Sequence, residues 1–220
     1  MLMPATPSNR PASRPTRRTQ LERRTEAESR LLHSAREIVA RKGWIGMTLT
    51  EVGESAGYSR GLAAHHFGSK PGLLRALANH INENFMREVQ RAPLAEDGLP
   101  ALLQFITTYL SRKDAAWTNT RALLLLMSEA STEGSETGDI LSTYNRQVLG
   151  YLEAHIKAGI KRGNVRADAD PTPYAILIMG SLRGVMLQKL LKDSKINLKR
   201  VRDSLVEMVT RSLAPDGHTR

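Results

Sequence analysis

The 220-residue chain contains no cysteine. That absence excludes a disulfide framework, thiolate zinc sites, iron–sulfur clusters and a thiol nucleophile. Long apolar runs are missing too: stretches such as 122–127 fall far short of the roughly 18 residues that a membrane span needs. The opening MLMPATPSNRPASRP lacks the apolar core of a secretory signal, so none is expected. Enzyme signatures are also lacking. GxSxG, GxxxxGK followed by Ser or Thr, HExxH and GxGxxG do not occur, so an enzyme reading has no nucleating motif, and neither a metal nor a cofactor is expected. What remains is a chain with 40% apolar residues, able to bury a core without covalent staples. It reads as a cytoplasmic protein with no membrane partner.

The charge that is present is mostly of one sign, 32 Lys and Arg against 22 Asp and Glu, for a net +10. It is also uneven. Residues 1–24 carry +5 through Arg10, Arg14, Arg17, Arg18, Arg23 and Arg24 against Glu22, and residues 25–75 add +2. A phosphate backbone is the polyanion that such an end matches, by counterion release and steering. Four prolines among Ser, Thr and Arg predict that residues 1–24 form a disordered basic arm.

Helical signals follow. Thr25 and Glu28 fit a capping box, and Leu31, Ala35, Ile38, Val39 and Lys42 recur at helical spacing until Gly43. Thr48 and Glu51 cap a second, short helix that runs to Ala56, with Gly57 where a left-handed residue is wanted. Ser59 then predicts the cap of a third helix ending at Phe67, so the two short helices meet in a tight turn. Ser69 as N-cap and Pro71 in the first turn start a long fourth helix whose inner face carries Leu73, Leu74, Leu77, Ile81 and Phe85. Residues 91–98 mark a boundary. Beyond it, helices are predicted over 99–110, 115–130, 140–161, 173–192 and 198–213, with loops at 131–139 and 162–171 and a flexible tail at 214–220.

Three helices with a glycine-centred turn between the last two outline a helix-turn-helix module. A recognition helix must be short and bear small or polar residues to enter a major groove about 12 Å wide. The segment SRGLAAHHF, residues 59–67, meets that description: Leu62 and Phe67 face inward, leaving Arg60, Gly61, Ala64 and His65 outward. Adjacent His65 and His66 diverge by about 100° on a helix and have no acidic neighbour at ligand spacing, so no metal site is read there. Trp44 reads as a packing residue.

The stretch TLTEVGESAGYSRGLAAHHFGSKPGLL, residues 48–74, resembles the DNA-binding signature of the TetR family of bacterial transcriptional repressors. The AGxSxG turn, the HF pair and the SKxxLL start of the next helix coincide with it. The resemblance implies an all-α fold: a helix-turn-helix domain over 25–72, joined through a long helix to an effector-binding and dimerisation domain over 73–213. It implies roles for Thr50 at a phosphate or groove edge and for Ser59 and Arg60 at the start of recognition, Arg60 on guanine or phosphate. Gly61 would permit close approach, Leu62 and Ala64 would touch thymine methyls, and His65, His66 and Lys70 would bond phosphates. Two departures stand out. Ala63 and Ala64 replace a large aliphatic residue and a Tyr, and Gly53 replaces an Ala inside the second helix, which costs about 1 kcal/mol in propensity but allows closer packing.

The same resemblance implies a homodimer on a double-stranded palindromic operator, released by a small-molecule effector of apolar or amphipathic character. Its interface would lie on the last two helices, at Tyr174, Leu177, Ile178, Ser181, Leu182, Val185, Leu198, Val201, Leu205, Met208 and Val209. Candidate walls of the effector pocket are Phe105, Tyr109, Trp117, Met127, Tyr144 and Tyr151, with Arg121 and His155 as polar anchors. The competing class is an architectural DNA-binding protein without sequence preference or ligand.

Overall fold

The computed structural model describes residues 19–91, 95–112, 117–132, 134–135 and 137–215, and among them every regular element is helical. In order these are α1 (Gln20–Lys42), α2 (Leu49–Ser55), α3 (Leu62–Phe67), α4 (Lys70–Arg91), α5 (Leu99–Ser111), α6 (Thr118–Ala130), α7 (Gly138–Arg162), α8 (Pro171–Leu190) and α9 (Leu198–Leu213).

Helix α1 starts earlier than expected. The capping box that forms is Thr19 with Glu22: the Thr19 hydroxyl accepts from the Glu22 amide at 3.2 Å, and the Glu22 carboxylate accepts from the Thr19 amide at 2.7 Å. Two boxes compete in this stretch. The outer one wins because, once nucleated, a helix gains a backbone hydrogen bond with each added residue and Gln, Leu, Glu and Arg are good formers. The arm assigned to 1–24 is therefore corrected at its end: Arg23 and Arg24 ride on α1, while residues 1–18 lie outside the described residues, as do 216–220 of the expected tail.

The first three helices share a core of Leu31, Ala35, Ile38, Val39, Met47, Val52 and Ala63, closed from below by Leu73, Leu74 and Leu77 of α4. The expected inner face of α4 is buried throughout, through Ile81 to Phe85. At about 1.5 Å per residue, its 22 residues span about 33 Å. One end thus belongs to the small module and the other to the larger bundle. A second tie joins them where α1 packs along α6 and Arg36 Nη1 donates to Asn119 Oδ1 at 3.2 Å.

In the bundle, α5 lies between α7 and α9, and α8 packs on α7. The start of α5 has no capping side chain of its own. Asn164, just past α7, does the work from a distance: its Oδ1 accepts from the Leu99 amide at 3.1 Å and its Nδ2 donates to the Asp97 carbonyl at 3.1 Å. Arg162 donates to the Asp97 carboxylate at 2.9 Å on the same corner.

Helix α8 carries apolar residues on every side, which divides the expected interface residues. Ile178 and Leu182 on α8, with Leu205 and Val209 on α9, are buried within the chain and belong to its own core. Tyr174 is pinned between Arg166 Nη2, which donates to its hydroxyl at 2.8 Å, and the Ser212 carbonyl at 3.4 Å. Leu177 and Met208 remain 63% and 54% exposed. Ile176, Leu187 and Leu191, which the sequence reading passed over, are exposed beside them.

Candidate nucleic-acid interface and effector cavity

Helix α2 begins as read from the sequence, with the Thr48 hydroxyl accepting from the Glu51 amide at 3.2 Å. Ser34 Oγ donates to the Val52 carbonyl at 3.2 Å and Lys42 pairs with Glu51, so α2 is fixed on α1 at both edges. Gly57 adopts φ +79°, the left-handed turn expected after α2. Gly53 is where the two short helices touch: a Cβ there would lie 2.7 Å from the Ser59 carbonyl oxygen. The closer packing expected of that glycine is thus present.

Helix α3 is shorter than expected. It runs from Leu62, and its N-cap is Gly61 with no side-chain bond. Ser59 is not the cap; its carbonyl accepts from the Leu62 amide at 3.1 Å in the turn before the helix. The contact at Gly53 explains this, because the Ser59 backbone is committed to packing on α2 before the helix can start.

Thr50, Ser59, Arg60, Gly61, Ala64 and His65 are all exposed in this module. Among the described residues Arg60 pairs with Glu54 at 2.6 Å, with its side chain 82% exposed, and an exposed pair of this kind is worth little against a competing phosphate. Leu62 is half-buried and packs on the core, the inward of its two expected placements. Two other candidates change role. His66 turns inward, 9% exposed, with Nε2 3.3 Å from Glu28 and its ring edge-on to Phe67. It fastens α3 to α1 instead of facing outward. Lys70 reaches back to the Ile45 carbonyl at 3.2 Å and over the buried Trp44 ring at 4.9 Å. Ser69 Oγ accepts from the Gly72 amide at 3.1 Å, the expected cap of α4.

In the bundle a cavity of about 200 Å³ opens between α4, α5, α7 and the facing sides of α6 and α8. Phe105, Tyr109, Tyr144 and Tyr151 line it as expected. Trp117, Arg121, Met127 and His155 do not. Trp117 precedes the first turn of α6, and Arg121 lies on the side of that helix opposite Leu123, which does line the cavity. Met127 sits a turn further along. His155 meets the Tyr151 ring edge-on at 4.6 Å, and burial lowers its pKa against the opposing pull of Asp97.

The walls that sequence reasoning missed include Ile81, Asn82, Phe85 and Met86 of α4, with Arg112, Gln147 and Met179. Phe85 was legible as an inner-face residue, and Arg112 stands three residues after Tyr109 at the end of an otherwise apolar helix. The ring of Phe85 meets Phe105 at 5.0 Å and Tyr109 at 5.5 Å, both edge-on. Burial pushes the Tyr144 phenol up to about 12 and raises that of Tyr109.

A short exposed helix set by a tight turn on a three-helix core, with a long helix leading from it to a cavity in a separate bundle, defines a helix-turn-helix DNA-binding transcriptional regulator. Residues 31–77 match the family model for bacterial regulatory proteins of the tetR family. The chain is 29% identical over 199 residues to the HTH-type transcriptional regulator CymR of Pseudomonas putida, covering 88% of this chain and 94% of that one. Among solved structures, a TetR-family transcriptional regulator from Rhodococcus sp. superposes with a TM-score of 0.77 at 22% identity, over 86% of this chain and all of the other. AibR, in complex with isovaleryl coenzyme A and operator DNA, superposes with a TM-score of 0.63 at 20% identity, over 83% and 97% of the two chains. The chain is thus similar to TetR-family regulators, through the family model in its helix-turn-helix module and through a helical body of the same fold. Among the described residues no helix is long and apolar enough to cross a membrane.

Proposed function

We propose that the chain is a homodimeric, cytoplasmic repressor that binds a palindromic operator and is released by a small molecule in the α4–α8 cavity. The observation that carries the reading is the reach of α4. Its first turn abuts the recognition helix, and Ile81, Asn82, Phe85 and Met86 in its second half wall the cavity. A ligand that moves those four residues moves the helix-turn-helix with them. It need only prefer the DNA-incompetent arrangement by about 1–3 kcal/mol to give ordinary coupling.

DNA contact falls to Arg60, on guanine or phosphate, with Thr50, Ser59 and His65 at phosphates and Gly61 and Ala64 at the groove floor. Lys70 can add a phosphate while keeping its carbonyl contact, since an ammonium has three donors. The second copy seats on the exposed apolar strip of Ile176, Leu177, Leu187, Leu191 and Met208, beside a groove between α8 and α9. A dimer sets two recognition helices about 34–36 Å apart, one helical turn of DNA. AibR, caught with both a ligand and operator DNA, is a structural neighbour that combines the two functions.

The test pairs selection of bound duplexes from a random library with sedimentation of the wild type and of Leu177→Glu. A defined palindrome and a dimer that the substitution splits are expected. A sequence-blind ladder on the selected DNA would instead favour an architectural protein.

A further inference from the structure

The cavity is apolar on most sides, yet among the described residues its lining includes one charged group, Arg112, and no carboxylate. The Arg112 side chain is 9% exposed; its guanidinium lies 3.8 Å over the Phe85 ring and 4.7 Å over Tyr109, and it pairs with the half-exposed Glu88 at 3.7 Å. A second arginine stands behind. Arg183 is one turn past Met179, and its charge acts on both Tyr109 and Tyr144. Arg183 donates from Nη1 to Asn145 at 2.6 Å and hydrogen-bonds the Tyr144 phenol, which places its charge directly behind that wall of the cavity. A buried guanidinium is costly unless an anion or acceptor completes it.

We infer that the effector is a small carboxylic acid with a compact apolar body, its carboxylate received by Arg112 beside the Tyr109 and Tyr144 hydroxyls, with Arg183 as the supporting cation. This rests on the reading of the cavity as the effector site. Size points the same way, because a cavity of about 200 Å³ is slightly larger than an apolar one of about 150 Å³ that accepts benzene. A single ring or a short branched chain fits, and a nucleotide does not. A cationic ligand is disfavoured because Arg112 already covers the faces of Phe85 and Tyr109 that would hold it. Both phenols stay protonated at neutral pH, so they donate to a carboxylate.

Calorimetric titration of the full chain with benzoate, phenylacetate and hexanoate, each against its own amide, and with benzylamine, tests this. At least one acid is expected to bind about tenfold or more tightly than its amide, the worth of one charge-assisted pair. Arg112→Met should abolish that preference and Arg112→Lys should keep part of it. If Arg112→Met does not fold, the acid–amide contrast in the wild type still decides. Equal binding of acid and amide, preference for benzylamine, or no acid binding at about 5 mM overturns the assignment. The two readings fail separately. Neutral ligands that occupy the cavity and release DNA would sink the carboxylate and leave the effector site, whereas an acid that binds there without changing DNA affinity would do the reverse.

Discussion

Replacing Gly53 by Ala tests how the recognition helix is held. On an exposed helix this change is stabilising, by about 1 kcal/mol of intrinsic propensity. Here the new Cβ would stand 2.7 Å from the Ser59 carbonyl oxygen, where ordinary contact begins at 3.4 Å. The atom it strikes is backbone and cannot swing aside, and it is also the acceptor for the Leu62 amide that opens α3. Relief therefore means moving the start of α3 by about 0.7 Å, an overpacking cost of about 1–3 kcal/mol that outweighs the propensity gain. The net expectation is a loss of about 1 kcal/mol, read as a melting temperature lower by about 2–4 °C for a chain of this size. Because phosphate charges are untouched, affinity for random duplex should hold while affinity for the selected operator falls about fivefold in a fluorescence anisotropy titration. A higher melting temperature with unchanged operator affinity would refute the claim that α3 is positioned by contact at this glycine.

Other consequences can be measured in the same way. Asn164→Ala removes the side-chain cap that Asn164 gives α5 and should cost about 1–2 kcal/mol in urea unfolding. His65→Ala should lower DNA affinity and leave stability unchanged, whereas His66→Ala should lower stability by about 1 kcal/mol, since His66 pairs with Glu28. Tyr144, with its phenol pushed from 10.0 to about 12, favours the folded state in full below its ordinary pKa. That contribution is lost as pH rises through about 12, so Tyr144→Phe should reduce the fall in melting temperature across this alkaline range.

Local chemistry was easiest to read in advance. The caps at Thr48 and Ser69, the turn at Gly57 and the buried stripe of α4 each depend on residues within a few positions of one another, which spacing reports directly. The start of α1 was misplaced because two equivalent boxes lie six residues apart and local rules do not rank them. The inward turn of His66 depends on Glu28, and the cap of α5 on Asn164; both are tertiary pairings without local trace. In the cavity the aromatic walls of α5 and α7 were found because large rings on buried faces are conspicuous. The α4 wall was missed because its inner face had already been assigned to the core, and Arg112 because a charge at a helix end ordinarily reads as solvated. The even apolarity of α8 hid which side was free, so Ile178 and Leu182 were placed outside when they lie within.

The double attachment of the small module, through the length of α4 and through α1 along α6 with its Arg36–Asn119 bond, leaves no slack linker between reading head and body. In the proposed dimer this makes the protein sensitive to helical phase. One inserted base pair between half-sites displaces the second by about 3.4 Å and rotates it by about 34–36° around the duplex axis. A tethered head could swing to follow; a head braced on two helices cannot, and the same bracing converts a displacement at the cavity into a change of register on DNA.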